Sequence, residues 1–82
     1  MRILIVEDDT EMRDFLKVTL ERESFAVDIA EDGKQGSYMA RTNDYDLIIL
    51  DNVLPHKLGI EVCSDIRKMG KTTPILLLSV RS

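Results

Sequence analysis

Four short apolar runs, Ile3–Val6, Ala26–Ala30, Leu47–Leu50 and Ile75–Ser79, alternate along the chain with stretches of helical period. Each run is rich in β-branched or aliphatic residues and is bounded by polar or turn residues, as a strand should be. Between the first two, Met12, Phe15, Leu16, Thr19 and Leu20 recur at helical spacing, with Asp9 or Thr10 as the expected N-cap. A second helix is expected from Gly33 to Thr42. It is weakened by Gly33 and Gly36, since a glycine inside a helix costs about 1 kcal/mol against Ala, unless Gly33 merely begins it. A third is expected from Gly59 to Met69, with Ile60, Val62, Cys63, Ile66 and Met69 facing inward and Gly70 and Pro74 supplying the stop.

This β-α-β-α-β-α-β order leaves few folds open. Strands joined by helical crossovers pair in parallel, and right-handed crossovers place helices on both sheet faces, so the fold class is α/β. Ile3–Val6, Leu47–Leu50 and Ile75–Leu78 are continuously apolar, as interior parallel strands are, whereas Asp28 in the middle of Ala26–Ala30 suits an edge. The expected strand order is 2-1-3-4. That order makes Ile75–Leu78 an edge strand with an interior strand's composition. The expectation is that something covers it: a further strand of a longer parent chain, a partner protein, or a second copy in a homo-oligomer or strand-swapped dimer.

At 82 residues the chain has room for one small core, and its few aromatics make that core aliphatic. Eleven Lys and Arg against fifteen Asp and Glu give a net charge of −4, the wrong sign for a surface that binds a phosphate backbone directly. The first apolar run meets Glu7-Asp8-Asp9 too soon to be a signal peptide or a membrane span, and the single Cys63 has no internal disulfide partner. A cytoplasmic setting without membrane contact is therefore expected.

Ligands of parallel α/β sheets bind beyond the carboxyl ends of the strands. The first strand ends in Glu7-Asp8-Asp9, the third in Asp51 and the fourth in Ser79. Singly, each acid has an ordinary reading, as a helix-start residue or a strand end, and Ser79 as a turn residue. Together, at neighbouring strand ends, the carboxylates would repel one another and raise their pKa values unless a cation sits among them. A hard, oxygen-seeking cation such as Mg²⁺ fits, because it takes one or two carboxylates and keeps waters that a phosphoryl oxygen can replace.

The whole chain closely resembles the receiver domain of bacterial two-component response regulators, with its CheY-like, flavodoxin-like strand order. The resemblance is carried by Ile3-Leu4-Ile5-Val6-Glu7-Asp8-Asp9, Tyr45-Asp46-Leu47-Ile48-Ile49-Leu50-Asp51, Leu54-Pro55 with Gly59, and Pro74-Ile75-Leu76-Leu77-Leu78-Ser79. The Glu-Asp form of the acidic pair looks most like transcription factors with winged-helix output domains. The resemblance implies that Asp51 is the phosphoacceptor, taking its phosphoryl group from a sensor histidine kinase. It implies that Asp8 and Asp51 ligate Mg²⁺ directly with the backbone carbonyl of Val53, that Glu7 acts through water, and that Ser79 is the switch hydroxyl. Asp9 is read as a cap.

Three departures accompany the resemblance. The family's phosphoryl-pairing lysine and aromatic switch residue lie on a fifth strand, and this chain ends before both. Residues 1–82 are thus expected to be a partial receiver domain, truncated after the fourth strand and impaired as a switch. Val80 is bulkier than the small residue usual after the switch hydroxyl, which predicts a longer-lived phosphoaspartate. Leu58 stands where a helix-capping Asp, Asn or Ser is common.

His56 reads as a solvated loop residue, Cys63 as core or flank, and Lys34, Arg41, Arg67, Lys68 and Lys71 as solvated charges. A phosphatase-like enzyme with a strand-end aspartyl nucleophile would want a second acid where Val53 stands. A dinucleotide-binding domain would want a glycine-rich turn where Glu7-Asp8-Asp9-Thr10 stands. The expectation is a signalling module rather than a turnover enzyme. The competing reading is a non-catalytic interaction fragment that assembles through its fourth strand.

Overall fold

The computed structural model describes residues 1–78, so Ser79 and Val80 lie outside the described residues. The elements run β1 (Arg2–Val6), α1 (Thr10–Arg22), β2 (Ala26–Ala30), α2 (Gly33–Thr42), β3 (Leu47–Asp51), α3 (Gly59–Lys68) and β4 (Ile75–Leu78). All the strand pairs are parallel, and the order is β2-β1-β3-β4. The α/β class and strand order expected from the apolar runs are both found.

The two-residue period of each strand divides the interior into two layers. Leu4, Val6, Ile48 and Leu50 point to one face and pack with Ala40, Val62 and Ile66 of α2 and α3. Ile3, Ile5 and Ile49 point to the other and meet Leu16 and Leu20 of α1. Leu4, Ile5, Val6 and Leu50 are fully buried, which is why β1 and β3 must be apolar on both faces.

Asp28 survives within β2 because that strand is an edge and because its carboxylate is paired. Tyr45 Oη donates to Asp28 Oδ2 at 2.7 Å and Arg2 Nη2 at 2.8 Å, and the Arg2 guanidinium lies 5.1 Å from the Tyr45 ring centre. These bonds, Tyr45's foremost, hold the Asp28 carboxyl below its usual range, while burial and the Asp28 contact push the Tyr45 hydroxyl up to about 12. On the opposite side, β4 is the edge among the described residues, with Leu76 and Leu77 51% and 41% exposed. An exposed apolar edge does not by itself establish the oligomer or swapped dimer expected from it.

Several expectations about the helices need correction. Ile60 and Met69 were expected inward but are exposed. Val62 and Ile66 set the packed face of α3, Ile60 lies about half a turn away from that face, and Met69 is already the C-cap. Met12 and Phe15 likewise belong to the apolar stripe of α1 but lie exposed, since only Leu16 and Leu20 reach the core. Asp9 occupies the N-cap position of α1 yet makes no capping bond through its side chain. Of the cations read as solvated, Arg67 closes the α3–β4 loop by donating to the carbonyls of Lys71 and Thr73. Lys71 in turn reaches the Asn43 carbonyl at 2.7 Å.

The glycines of α2 have a steric reason. Gly33 is its first residue, after an Asp32 N-cap whose carboxylate accepts from Gln35 N at 2.8 Å. A Cβ on Gly36 would sit 2.7 and 2.9 Å from the two methyl carbons of fully buried, β-branched Val6, which has nowhere to turn. Helix propensity alone favours Gly36→Ala by about 1 kcal/mol. Overpacking reverses the sign, and chemical denaturation should show Gly36→Ala to be destabilised by roughly 1–3 kcal/mol. A stabilised variant would mean that α2 lifts off β1 freely.

Candidate metal centre at the carboxyl ends of the strands

β1 and β3 are neighbours in register, Val6 beside Leu50, so the residues that follow each strand's apolar run arrive together. Glu7, Asp8 and Asp51 each offer a carboxylate oxygen, and these oxygens all lie within 4.8 Å of one another. Glu7 is buried, Asp51 half-buried and Asp8 exposed. The cluster thus has a floor, a wall and an open rim. Glu7 is held from both ends: its amide donates to the Ala30 carbonyl at 3.1 Å, and its Oε2 accepts from Asp9 N at 3.1 Å.

Burial is the main reason that the Glu7 carboxyl is pushed up to about 7 from 4.5. Repulsion from Asp51 and hydrogen bonds shared with Asp8 and Asp51 add to it, against the Asp9 amide, which lowers it. Without a bound cation, Glu7 is therefore about half protonated at neutral pH. Three converging hard oxygen donors, one of them partly protonated through burial and the repulsion of its neighbours, fit a divalent cation such as Mg²⁺.

The loop after β3 is fixed by bonds that sequence reasoning did not anticipate. Val53 N donates to Asp51 Oδ1 at 3.3 Å, which brings Val53 beside that carboxylate. Leu58, with no polar side chain, is the N-cap of α3, and two neighbours compensate. Glu61 Oε1 accepts from Leu58 N at 2.9 Å, and Asn52 Oδ1 accepts from Ile60 N at 3.2 Å. His56 is exposed with φ of +70°, in the left-handed region. Cys63 packs at the margin of the core, and burial raises its thiol pKa. The structure brings Glu7, Asp8, Asp51 and Val53 to one place; Ser79 lies outside the described residues.

Comparison with known proteins agrees with this geometry. A family profile described as "Response regulator receiver domain" matches residues 3–82. The chain is 46% identical over 81 residues to the response regulator ArlR of Staphylococcus saprophyticus, covering 99% of this chain and 36% of ArlR. It is 43% identical over 79 residues to the transcriptional regulatory protein CusR of Escherichia coli, covering 96% of this chain and 35% of CusR. It thus spans about a third of the length of these relatives. Among solved structures, the response regulator TrrA of Thermotoga maritima, in complex with Mg²⁺ and BeF, superposes with a TM-score of 0.90. The two are 40% identical, over 99% of this chain and 70% of that one. Among the described residues no helix is long and apolar enough to cross a membrane.

Proposed function

The chain belongs to the response regulator receiver family, and on that premise we propose that it is a phosphoacceptor signalling module in which Asp51 takes a phosphoryl group from a sensor histidine kinase. The observation that carries this reading is the convergence of Glu7, Asp8 and Asp51 at the ends of two adjacent parallel strands. In the proposed reaction an Asp51 carboxylate oxygen attacks phosphorus in line, the new O–P bond forms as the donor's N–P bond breaks, and the departing imidazole retains the electron pair and takes up a proton. Asp8, Asp51 and the Val53 carbonyl would hold Mg²⁺, and Glu7 would act through water.

Bound Mg²⁺ supplies charge neutralisation for the phosphoryl oxygens, the dominant requirement in phosphoryl transfer. The residues supply the rest. The hydrogen bond from Val53 N orients the Asp51 carboxylate, and Glu7, about half protonated at neutral pH without a cation, would give up that proton when the cation binds. Ser79 is proposed to hydrogen-bond the transferred group. The output proposed for the whole protein is control of transcription on the cytoplasmic side, consistent with the names of relatives such as CusR.

Incubation with acetyl phosphate and Mg²⁺ tests the reading. Intact-mass measurement should show one added phosphoryl group, lost on chelation of Mg²⁺ before the reaction, and borohydride trapping with peptide mapping should locate it at Asp51. No incorporation, or incorporation at another residue, overturns it.

A further inference from the structure

The loop between β3 and α3 is tied down by a group of side chains away from the acidic cluster. Asp65 of α3 receives two donors on one oxygen: Lys57 Nζ from the loop at 2.5 Å and Ser37 Oγ from α2 at 2.8 Å. Ser37 is 1% exposed, and Arg41 Nε donates to both its hydroxyl and its carbonyl at 3.2 Å. Three separate elements therefore meet at a single carboxylate. The same loop abuts the start of α2, where Gly33 N donates to the Pro55 carbonyl at 3.2 Å and a Cβ on Gly33 would strike the Lys57 carbonyl.

Between those two anchors sits His56, at a φ that a non-glycine residue leaves readily unless its surroundings hold it. Lys57 is the next residue and carries the only ion pair that leaves this loop among the described residues. The pair is a third and a quarter exposed, so its direct contribution to stability is modest. What it fixes is position, since the short segment from Asn52 to Pro55 links Lys57 back to Val53 and Asp51.

We infer that Lys57 is a positioning residue for the cation site, its ammonium clamped on Asp65 so that the loop keeps Val53, whose amide donates to Asp51 Oδ1, beside the Asp51 carboxylate. The inference rests on the proposed reading of that site. Supports around a metal site typically cost about 10–100-fold in affinity when removed. Lys57 acts through the backbone rather than on a ligand side chain, so the low end of that range applies.

Titration calorimetry with Mg²⁺ on the wild type, Lys57→Met, Lys57→Arg and Asp65→Asn is the test, with thermal unfolding in chelator as a parallel readout. Lys57→Met and Asp65→Asn should each weaken Mg²⁺ binding by roughly 10-fold while unfolding in chelator changes little, and Lys57→Arg should recover most of the affinity. If Lys57→Met does not fold, the near-isosteric Asp65→Asn decides, because it keeps an acceptor for Ser37. Mg²⁺ affinity within twofold of wild type in the folded variants overturns the inference. Failure of the wild type itself to bind Mg²⁺ overturns the proposed function instead, so the two failures are distinguishable.

Discussion

Asparagine in place of Asp51 is expected to reduce phosphoryl incorporation to background while making the ion-free protein more stable. The first effect follows from chemistry: an amide oxygen is not a competent nucleophile toward phosphorus, and Glu7, the other acid here whose carboxylate accepts from a backbone amide, is buried. The second follows from repulsion. Asp51 is one of the causes that raise the Glu7 pKa, and the oxygens of both belong to the group gathered within 4.8 Å. At pH 8, where Glu7 is ionised, removing the Asp51 charge relieves about 1–2 kcal/mol after screening at the half-exposed site. For a domain of this size that is a rise in Tm of roughly 4–16 °C. Added Mg²⁺ should invert the ranking, because it stabilises the wild type by binding the folded state and has little to bind in Asp51→Asn. A variant that loses incorporation but is less stable than wild type in chelator would mean that the bonds of Asp51 outweigh its repulsion. Retained labelling would place the acceptor elsewhere.

The parts of the molecule that were legible in the sequence are those governed by period and polarity. Ile3–Val6 and Leu47–Leu50 announce two-sided burial, and Asp28 announces an edge, because a parallel strand has no other way to carry a charge. The acids were legible for the same reason: strand ends in this topology have one place to go, so Glu7, Asp8 and Asp51 converge once β1 and β3 are adjacent. What period cannot convey is which part of an apolar stripe finds a partner. Phe15 and Ile60 fall on apolar stripes by helical spacing and lie exposed because the helices turn other residues toward the sheet. The bonds of the β3–α3 loop were hidden for a different reason. Asn52 caps a helix that begins several residues later, and Lys57 reaches an acid on the next helix that in turn accepts from α2. Such contacts depend on how three elements pack and leave no signature in local spacing. Asp32 was readable, since an Asp three residues before Gln35 is a capping pattern, though it was Gly33 that drew notice there.

Glu7→Gln is expected to remove most of the pH dependence of both stability and cation binding between pH 5 and 8. In the unfolded chain Glu7 loses its proton near 4.5, whereas in the folded, ion-free protein it keeps it to about 7. Between these values the folded state binds more protons than the unfolded one, so stability falls as pH rises from about 4.5 and levels off above about 7. The ceiling on that loss is roughly 3 kcal/mol. The groups shifted the other way, Asp28 and Asp65, have folded pKa values below 3.8, and their contributions disappear only as pH falls through that acid range. Cys63 and Tyr45 are shifted upward from 9.0 and 10.0 and act above the window. Glutamine retains an acceptor for Asp9 N but has no proton to lose, so in chelator its Tm should stay nearly flat from pH 5 to 8 while the wild type's falls by several degrees. Mg²⁺ binding runs with the opposite slope: loading the wild-type site expels the Glu7 proton, so affinity should climb by up to about tenfold per pH unit below 7 and then flatten. In Glu7→Gln that climb should vanish. Parallel slopes in variant and wild type would assign the titration to a different group and leave Glu7 as a buried acid with no part in loading the site.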